Sequence, residues 1–293
     1  MQFWLSILLM ALAILPQDSA RADDWVYLDN GSVRIGVKKS SGACIGYLSP
    51  GGSTKNLLNH YDQGRFVQQS YYGAADGSLW VKKPWRFNPV QGGNYQGTPS
   101  ELKEFRSTKS TLYAKITPRN WAGGALVPEV TMEEWIELVG PVAKVRYRMT
   151  YSGTVRHAAR HQEIPAIFTD ANLSTLVTYE AAVPWTNDAV VRKIPGWPNQ
   201  PQKLTESWAA YVDARDFGVG AYVPIATEAT CYRYKGGSGS DCSYIAPLTT
   251  FALTPNLVFE YELYLTAGTS REIRSRFYEI HRRNERKPAK PSP

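Results

Sequence analysis

Cysteine is scarce, with three residues in 293 and no Cys-x-x-Cys pair. That spacing is what thioredoxin-like redox sites and most structural zinc sites require, and no histidine–cysteine cluster replaces it. No metal or cofactor is therefore expected. Long apolar runs are absent after the amino terminus. Phe3 to Leu15 is the only extended one, broken by Ser6. At about 13 residues it is too short to cross a bilayer, which takes roughly 20. It ends at Pro16, and Ala20-Arg21-Ala22 supplies the small residues of a signal-peptidase site. Residues 1–22 are thus expected to be a cleaved signal peptide, with the protein exported to the periplasm or beyond and without a membrane span.

Charge is also sparse, at 20% of residues, and the net +7 is unevenly placed. From Arg271 onward there are eight Lys/Arg against three Glu, so this end holds +5 of the +7. A basic end of this kind is either solvated or in touch with a polyanion, and no nucleic-acid-binding motif accompanies it. What is abundant is aromatic: 18 Tyr and 9 Trp in a chain long enough for a sizeable core.

Alternation with period two dominates and marks half-buried strands. Val33, Ile35 and Val37 alternate with Arg34, Gly36 and Lys38, and Val145, Tyr147, Met149 and Tyr151 with Lys144, Arg146, Arg148 and Thr150. Leu112, Ala114 and Ile116 form a similar row, as do Leu257, Phe259, Tyr261, Leu263 and Leu265. Gly140-Pro141 and the segment Asp213 to Gly218 read as hairpin turns. Thr269 and Glu272 have capping-box spacing ahead of Ile273, Phe277 and Ile280, which share one helical face. The fold class expected is all-β, an antiparallel β-sandwich with a short C-terminal helix. It would form one domain over residues 23–283, followed by a basic proline-rich tail over 284–293. Cys231 and Cys242 flank a Gly/Ser-rich loop, so export makes a disulfide between them an expectation. Cys44, between Ala43 and Ile45, reads as a buried thiol.

The opening strand Asn30 to Val37 leads into Ser41-Gly42-Ala43-Cys44-Ile45-Gly46-Tyr47-Leu48 and then Asn56-Leu57-Leu58-Asn59. This resembles the start of the galactose-mutarotase-like supersandwiches, in which two strands precede such a loop on the sugar-facing side. The ending, Asn256 to Gly268 followed by a helix, is similar to their last strand. The resemblance implies a carbohydrate more than a reaction, because that fold hosts epimerases, lyases and domains of glycosidases.

Sugar recognition needs planar amides and guanidinium groups for paired hydroxyls and aromatic faces for C–H surfaces. Residues 59–96 supply both, through His60, Arg65, Gln68, Gln69, Tyr72, Trp85, Asn88 and Gln91. A strand over Arg65–Tyr72 would place Arg65, Val67, Gln69 and Tyr71 on one face and Phe66, Gln68, Ser70 and Tyr72 on the other. Further on, His161 and Glu163 would share a strand face. Glu133 and Glu134, as neighbours, would point to opposite faces. Trp185, Trp197 and Trp208 are either cleft-lining or packing residues.

Three chemistries fit these candidates. Asp62 and Glu163 would be the carboxylate pair of a glycoside hydrolase. A polysaccharide lyase would draw on Tyr71 or Tyr72, His60 or His161, and Arg65. A sugar epimerase would use His161 as acid and Glu163 as base. The alternative to an enzyme on poly- or oligosaccharide is a non-catalytic glycan-binding or cell-envelope protein presenting the same surface. Nothing in the sequence sets an oligomeric state.

Overall fold

The computed structural model describes residues 24–286 except 187. The expected signal peptide, residues 1–22, and the last seven residues of the tail lie outside the described residues. Strands β1 (Trp25–Asp29), β2 (Val33–Lys38) and β3 (Cys44–Pro50) form an antiparallel entry sheet. Next come β4 (Gln68–Ser70), the hairpin β5 (Ala75–Trp80) and β6 (Lys83–Arg86), and β7 (Pro89–Val90). A meander follows of β8 (Glu101–Ser107), β9 (Thr111–Thr117), β11 (Val130–Val139) and β12 (Val142–Tyr151), interrupted after β9 by the short β10 (Arg119–Asn120), which pairs with β7. The long β13 (His157–Asp170) crosses to the other layer, β14 (Thr175–Tyr179) returns to the first, and β15 (Val190–Lys193) and β16 (Gln200–Lys203) form one edge of each sheet. The chain closes with β17 (Trp208–Val212), β18 (Phe217–Tyr222), β19 (Glu228–Tyr234), β20 (Cys242–Leu253), β21 (Leu257–Thr269) and helix α1 (Ser270–Glu285).

Two large antiparallel sheets result. One has nine strands in the order β15-β14-β17-β18-β21-β12-β11-β9-β8, the other seven in the order β10-β7-β4-β13-β20-β19-β16. Their inner faces meet in a shared core that takes Ile116, Val145, Tyr147 and Leu263 from the first and Ile164, Ile167, Ile245 and Leu253 from the second. This is the all-β sandwich with a terminal helix that the alternation indicated.

The nine-stranded sheet follows the period-two rule closely where its outer face is wet. On β12, Val145, Tyr147, Met149 and Tyr151 are buried while Lys144, Arg146 and Arg148 point outward. There Lys144 pairs with Glu262 at 2.6 Å and Arg148 with Glu133 at 2.6 Å. Where α1 covers this sheet, β17 and β18 are buried on both faces. The capping box forms as expected, with Thr269 accepting from the Glu272 amide and Glu272 reaching back to the Thr269 amide. Gly220 makes room for the helix, since a Cβ there would lie 2.2 Å from Ile273 Cγ2. Buried Glu206 then fastens α1, accepting Arg274 at 2.7 and 2.9 Å and the Trp208 indole at 2.6 Å. The helix runs two residues past the boundary expected at 283.

The Cys231–Cys242 bridge is not formed, and all three cysteines are free. The reason is register. Cys231 pairs with Ile245 and Cys242 with Tyr234, so the two thiols are offset by three residues along the β19–β20 pair. An odd offset sends them to opposite faces, Cys231 into the core between the sheets and Cys242 onto the outer face of the seven-stranded sheet. The offset is also about 10 Å along the strand, beyond the reach of a disulfide. Cys44 is the buried thiol anticipated, its Sγ 3.4 Å from Gln68 Oε1. Thiol titration of the purified protein, unfolded without reductant, should count three free thiols, and dithiothreitol should leave the melting temperature unchanged. A count of one would contradict this register.

Candidate active site

The outer face of the seven-stranded sheet carries a cavity of about 510 Å3. That lies within the roughly 300–1,000 Å3 typical of small-molecule sites. Its floor is Ser70 and Tyr72 beside β4, Glu163, Ala166 and Phe168 of β13, and Tyr244 of β20. One wall is built from Trp80, Trp85 and Trp121. Trp85 lies edge-on to Trp80 at 4.7 Å between ring centroids, and Trp121 lies 6.0 Å from Trp80. The opposite wall is Trp197, Tyr232 and Tyr234, with Trp197 at 4.7 and 5.1 Å from the two tyrosine rings. Asp62 and Arg65 stand at the margin, paired at 2.6 Å, with the Arg65 guanidinium over Tyr61 and Tyr234.

Local sequence explains how each wall is held. Asn88 organises the first: its amide donates to the Tyr71 carbonyl at 2.8 Å, and its Oδ1 accepts the Trp85 indole at 3.2 Å. Its backbone carbonyl accepts the Trp121 amide at 2.8 Å. Gly64 lets the chain pass under Trp121, since a Cβ would sit 2.5 Å from the ring. On the far side, β19 places Tyr232 and Tyr234 two residues apart and so on the same face. The Arg233 amide between them donates to the Gly196 carbonyl and tethers the segment bearing Trp197.

Glu163 is the chemically distinctive group. Tyr244 donates its hydroxyl to Glu163 Oε1, and the Tyr72 and Ser70 hydroxyls beside the carboxyl also favour its charged form. Burial among these rings pushes the carboxyl above its ordinary value despite those hydroxyls, because desolvation penalises the charged form most. The same burial and the neighbouring carboxyl push the Tyr72 and Tyr244 phenols well up. These tyrosines therefore act as proton donors to Glu163 and not as ready bases.

Of the residues singled out in the sequence, Asp62, Arg65, Gln68, Tyr72, Trp85, Asn88, Glu163 and Trp197 line this cavity. Two of them are occupied with the scaffold. Gln68 accepts the Gly92 amide at 2.7 Å and donates to the Gln63 carbonyl at 3.1 Å, and the Asn88 amide is committed as described. The expected strand over 65–72 shortens to β4, and Arg65 sits in a turn in which Asp62 accepts both the Gly64 and Arg65 amides. That turn swings Arg65 to the cavity side, away from the face it was expected to share with Gln69.

Other candidates lie elsewhere. Tyr71, fully buried, points into the core and donates to Gln69 Oε1. Gln69 and Gln91 are also inside, where Gln91 accepts the Gln69 amide and donates to the Gly42 carbonyl. His60 packs edge-on against Trp25 at 5.3 Å. His161 shares a strand face with Glu163 but its side chain is 63% exposed beyond the rim, 3.2 Å from both Glu228 and Thr250. No His161–Glu163 acid–base pair is assembled. Trp185 stacks on His281 and Tyr278 of α1, far around the fold, and Trp208 is core. The sequence reading missed Trp80, Trp121, Tyr232, Tyr234 and Tyr244. Only the Tyr232-x-Tyr234 spacing carried a signal, because the other three depend on long-range packing.

The fold is that of the galactose mutarotase-like proteins. The chain superposes on a galactose mutarotase-like protein from Lactobacillus casei with a TM-score of 0.55 at 11% identity, covering 83% of this chain and 99% of that one. A galactose mutarotase related enzyme from Lactobacillus acidophilus gives 0.53 at 10%, covering 83% and 97%. The 4-alpha-glucanotransferase of Thermococcus litoralis gives 0.50 at 12%, covering 83% of this chain but 37% of that larger enzyme. No family model and no curated protein sequence matches the chain.

Behind the cavity floor lies a second polar feature. Glu134, Tyr147 and Tyr261 are directly opposite one another across β11, β12 and β21, all facing the core. Neither Glu134 oxygen finds a hydrogen-bond partner, and burial pushes this carboxyl up to about 8, with Gln91 only a partial offset. Glu133, its neighbour, points outward to Arg148 and Tyr113, as adjacent strand residues must. An unfolded glutamate titrates near about 4.3, so between there and about pH 8 the native state holds a proton that the unfolded chain has lost. Stability therefore falls as pH rises through this window. Glu134→Gln should remove that decline. Thermal melts should show the variant gaining at least about 2–4 °C more over wild type at pH 8 than at pH 5. Equal gains at both would contradict this.

Proposed function

We propose that the protein is an exported carbohydrate-active protein that binds a saccharide in the aromatic cavity and acts on it as a glycoside hydrolase. Export rests on the Phe3–Leu15 run and the Ala20-Arg21-Ala22 site. The saccharide reading rests on the sugar-associated fold together with facing aromatic walls around a few polar groups, the composition that pyranose recognition uses. The observation that carries the catalytic reading is Glu163: a carboxyl held protonatable above its ordinary value on the floor of a cavity walled by indole and phenol rings.

In this reading Glu163 gives its proton to the glycosidic oxygen as the C–O bond breaks. Asp62, the other carboxylate among the lining residues, serves the second role that hydrolysis demands. An epimerase-type histidine acid is not supported, because none of the residues lining the cavity is a histidine. A tyrosine-base lyase is disfavoured by the upward shift of Tyr72 and Tyr244. One observation favours the alternative of a non-catalytic glycan-binding protein: Asp62 is already engaged by Arg65 and the Gly64 amide.

Purified protein incubated with a panel of polysaccharides should release reducing ends, with kcat/KM falling on the alkaline side through an apparent pKa above 4.5. Glu163→Gln should lower turnover about 10²–10⁴-fold while preserving binding. Binding by the wild-type protein without any product selects the non-catalytic alternative. Turnover undiminished in Glu163→Gln removes Glu163 from the chemistry.

A further inference from the structure

We infer that the ligand is an uncharged glycan chain lying across the strands, from the Trp80/Trp85/Trp121 wall over Glu163 to the Trp197/Tyr234 wall, and not a single sugar or an acidic polymer. This rests on the saccharide reading above and adds to it the length and charge of the ligand.

Length follows from sheet geometry. Trp85, on β6, is hydrogen-bonded to Asn88, which immediately precedes β7, whereas Tyr232 and Tyr234 belong to β19, with β4, β13 and β20 between β7 and β19. Four strand spacings separate β7 from β19, roughly 19 Å between the backbones beneath the two aromatic groups. One pyranose stacks on one wall and leaves the other bare, whereas a chain of several sugars engages both. The outer members of each wall are unsatisfied as the protein stands. Trp197 is 59% exposed and Trp80 is 36% exposed. Exposed apolar side chains grouped at the margins of a cavity mark a contact surface. Their position at both margins gives the site two open ends. The hairpin β5–β6 that carries Trp80 pairs only with itself in its sheet, and Asn120 anchors it through Asp76 at 2.6 Å.

Charge follows from the lining. Arg65 is the one cationic side chain among the lining residues, and Asp62 at 2.6 Å already neutralises it. Glu163 adds a carboxyl on the floor. A uronate or sulfate on the cavity floor would meet two carboxyl groups and a lining cation that is already paired, which desolvation makes costly. Arg86, unpaired among the described residues and over the Tyr72 and Trp85 rings, stands outside the lining. The net charge of +7 does not alter this, because most of it lies from Arg271 onward.

Isothermal titration of the full mature protein with malto-, cello- and xylo-oligosaccharides from monomer to hexamer, and with oligogalacturonates of matching length, tests the inference. Affinity for at least one neutral series should rise about 10-fold or more from monosaccharide to tetrasaccharide. The acidic series should bind more weakly. Trp197→Ala and Trp80→Ala, both at exposed positions, should each weaken the tetrasaccharide about 2- to 10-fold, the range of an aromatic contact, while the variant on the wall that a single sugar does not use leaves the monosaccharide within about 2-fold. Affinity that is flat with length, equal losses for short and long ligands, or tighter binding of oligogalacturonate would each overturn the inference while leaving a saccharide site in place. If no saccharide of any series binds, the saccharide reading itself fails and this inference with it.

Discussion

The middle of the seven-stranded sheet, along Gln68–Ser70, Ile164–Thr169 and Cys242–Pro247, is buried on both faces, and the rest of the molecule is arranged around that constraint. Its inner face must meet the nine-stranded sheet with aliphatic side chains, which Ile164, Ile167, Ile245 and Leu253 provide. Its outer face must be covered without a third sheet. Tyr232 and Tyr234 of β19 pack beside Phe168 and Tyr244, while loops and the β5–β6 hairpin bring tryptophans to the margins and stop short of filling the middle. The cavity is the space that remains. Glu163 reaches it because it sits on β13, with Tyr244 across the neighbouring strand to hydrogen-bond it.

Two desolvated carboxyls, one fully buried and one half-buried, show how differently the fold treats the same group. Glu134 lies between the sheets with neither oxygen hydrogen-bonded, and its proton stays on to about pH 8. Its cost is borne by stability alone, because no ligand reaches it. Glu163 is desolvated too, but three hydroxyl groups offset part of the penalty and the cavity gives it access to a substrate. A partly offset shift toward the protonated form is what a proton donor at moderate pH requires.

Sequence legibility followed the same division. Strands with one wet face, such as β9 and β12, alternate buried and exposed residues and could be read directly. The Gly140-Pro141 and Asp213–Gly218 hairpins and the Thr269–Glu272 cap were equally legible, because each depends on local chemistry. Where both faces are buried, as along β20 from Cys242 to Leu248, alternation disappears from the hydropathy pattern, although it persists in the structure as core against cavity. That is why Tyr244 went unnoticed and why Gln68 and Gln69 could not be assigned to cavity and core from composition. The disulfide expectation failed for a related reason. A flexible loop brings strand ends together, but register decides which face each cysteine takes, and register is a long-range property. The site was legible in its charged members, Asp62, Arg65 and Glu163, and mostly illegible in its rings.

A structure of the protein crystallised with a neutral tetrasaccharide tests the central claim most directly. The account predicts sugar rings stacked on Trp85 or Trp121 at one end and Trp197 or Tyr234 at the other, with a sugar oxygen within hydrogen-bonding distance of the Glu163 carboxyl. A saccharide bound elsewhere on the molecule, with this cavity holding only water, would contradict it.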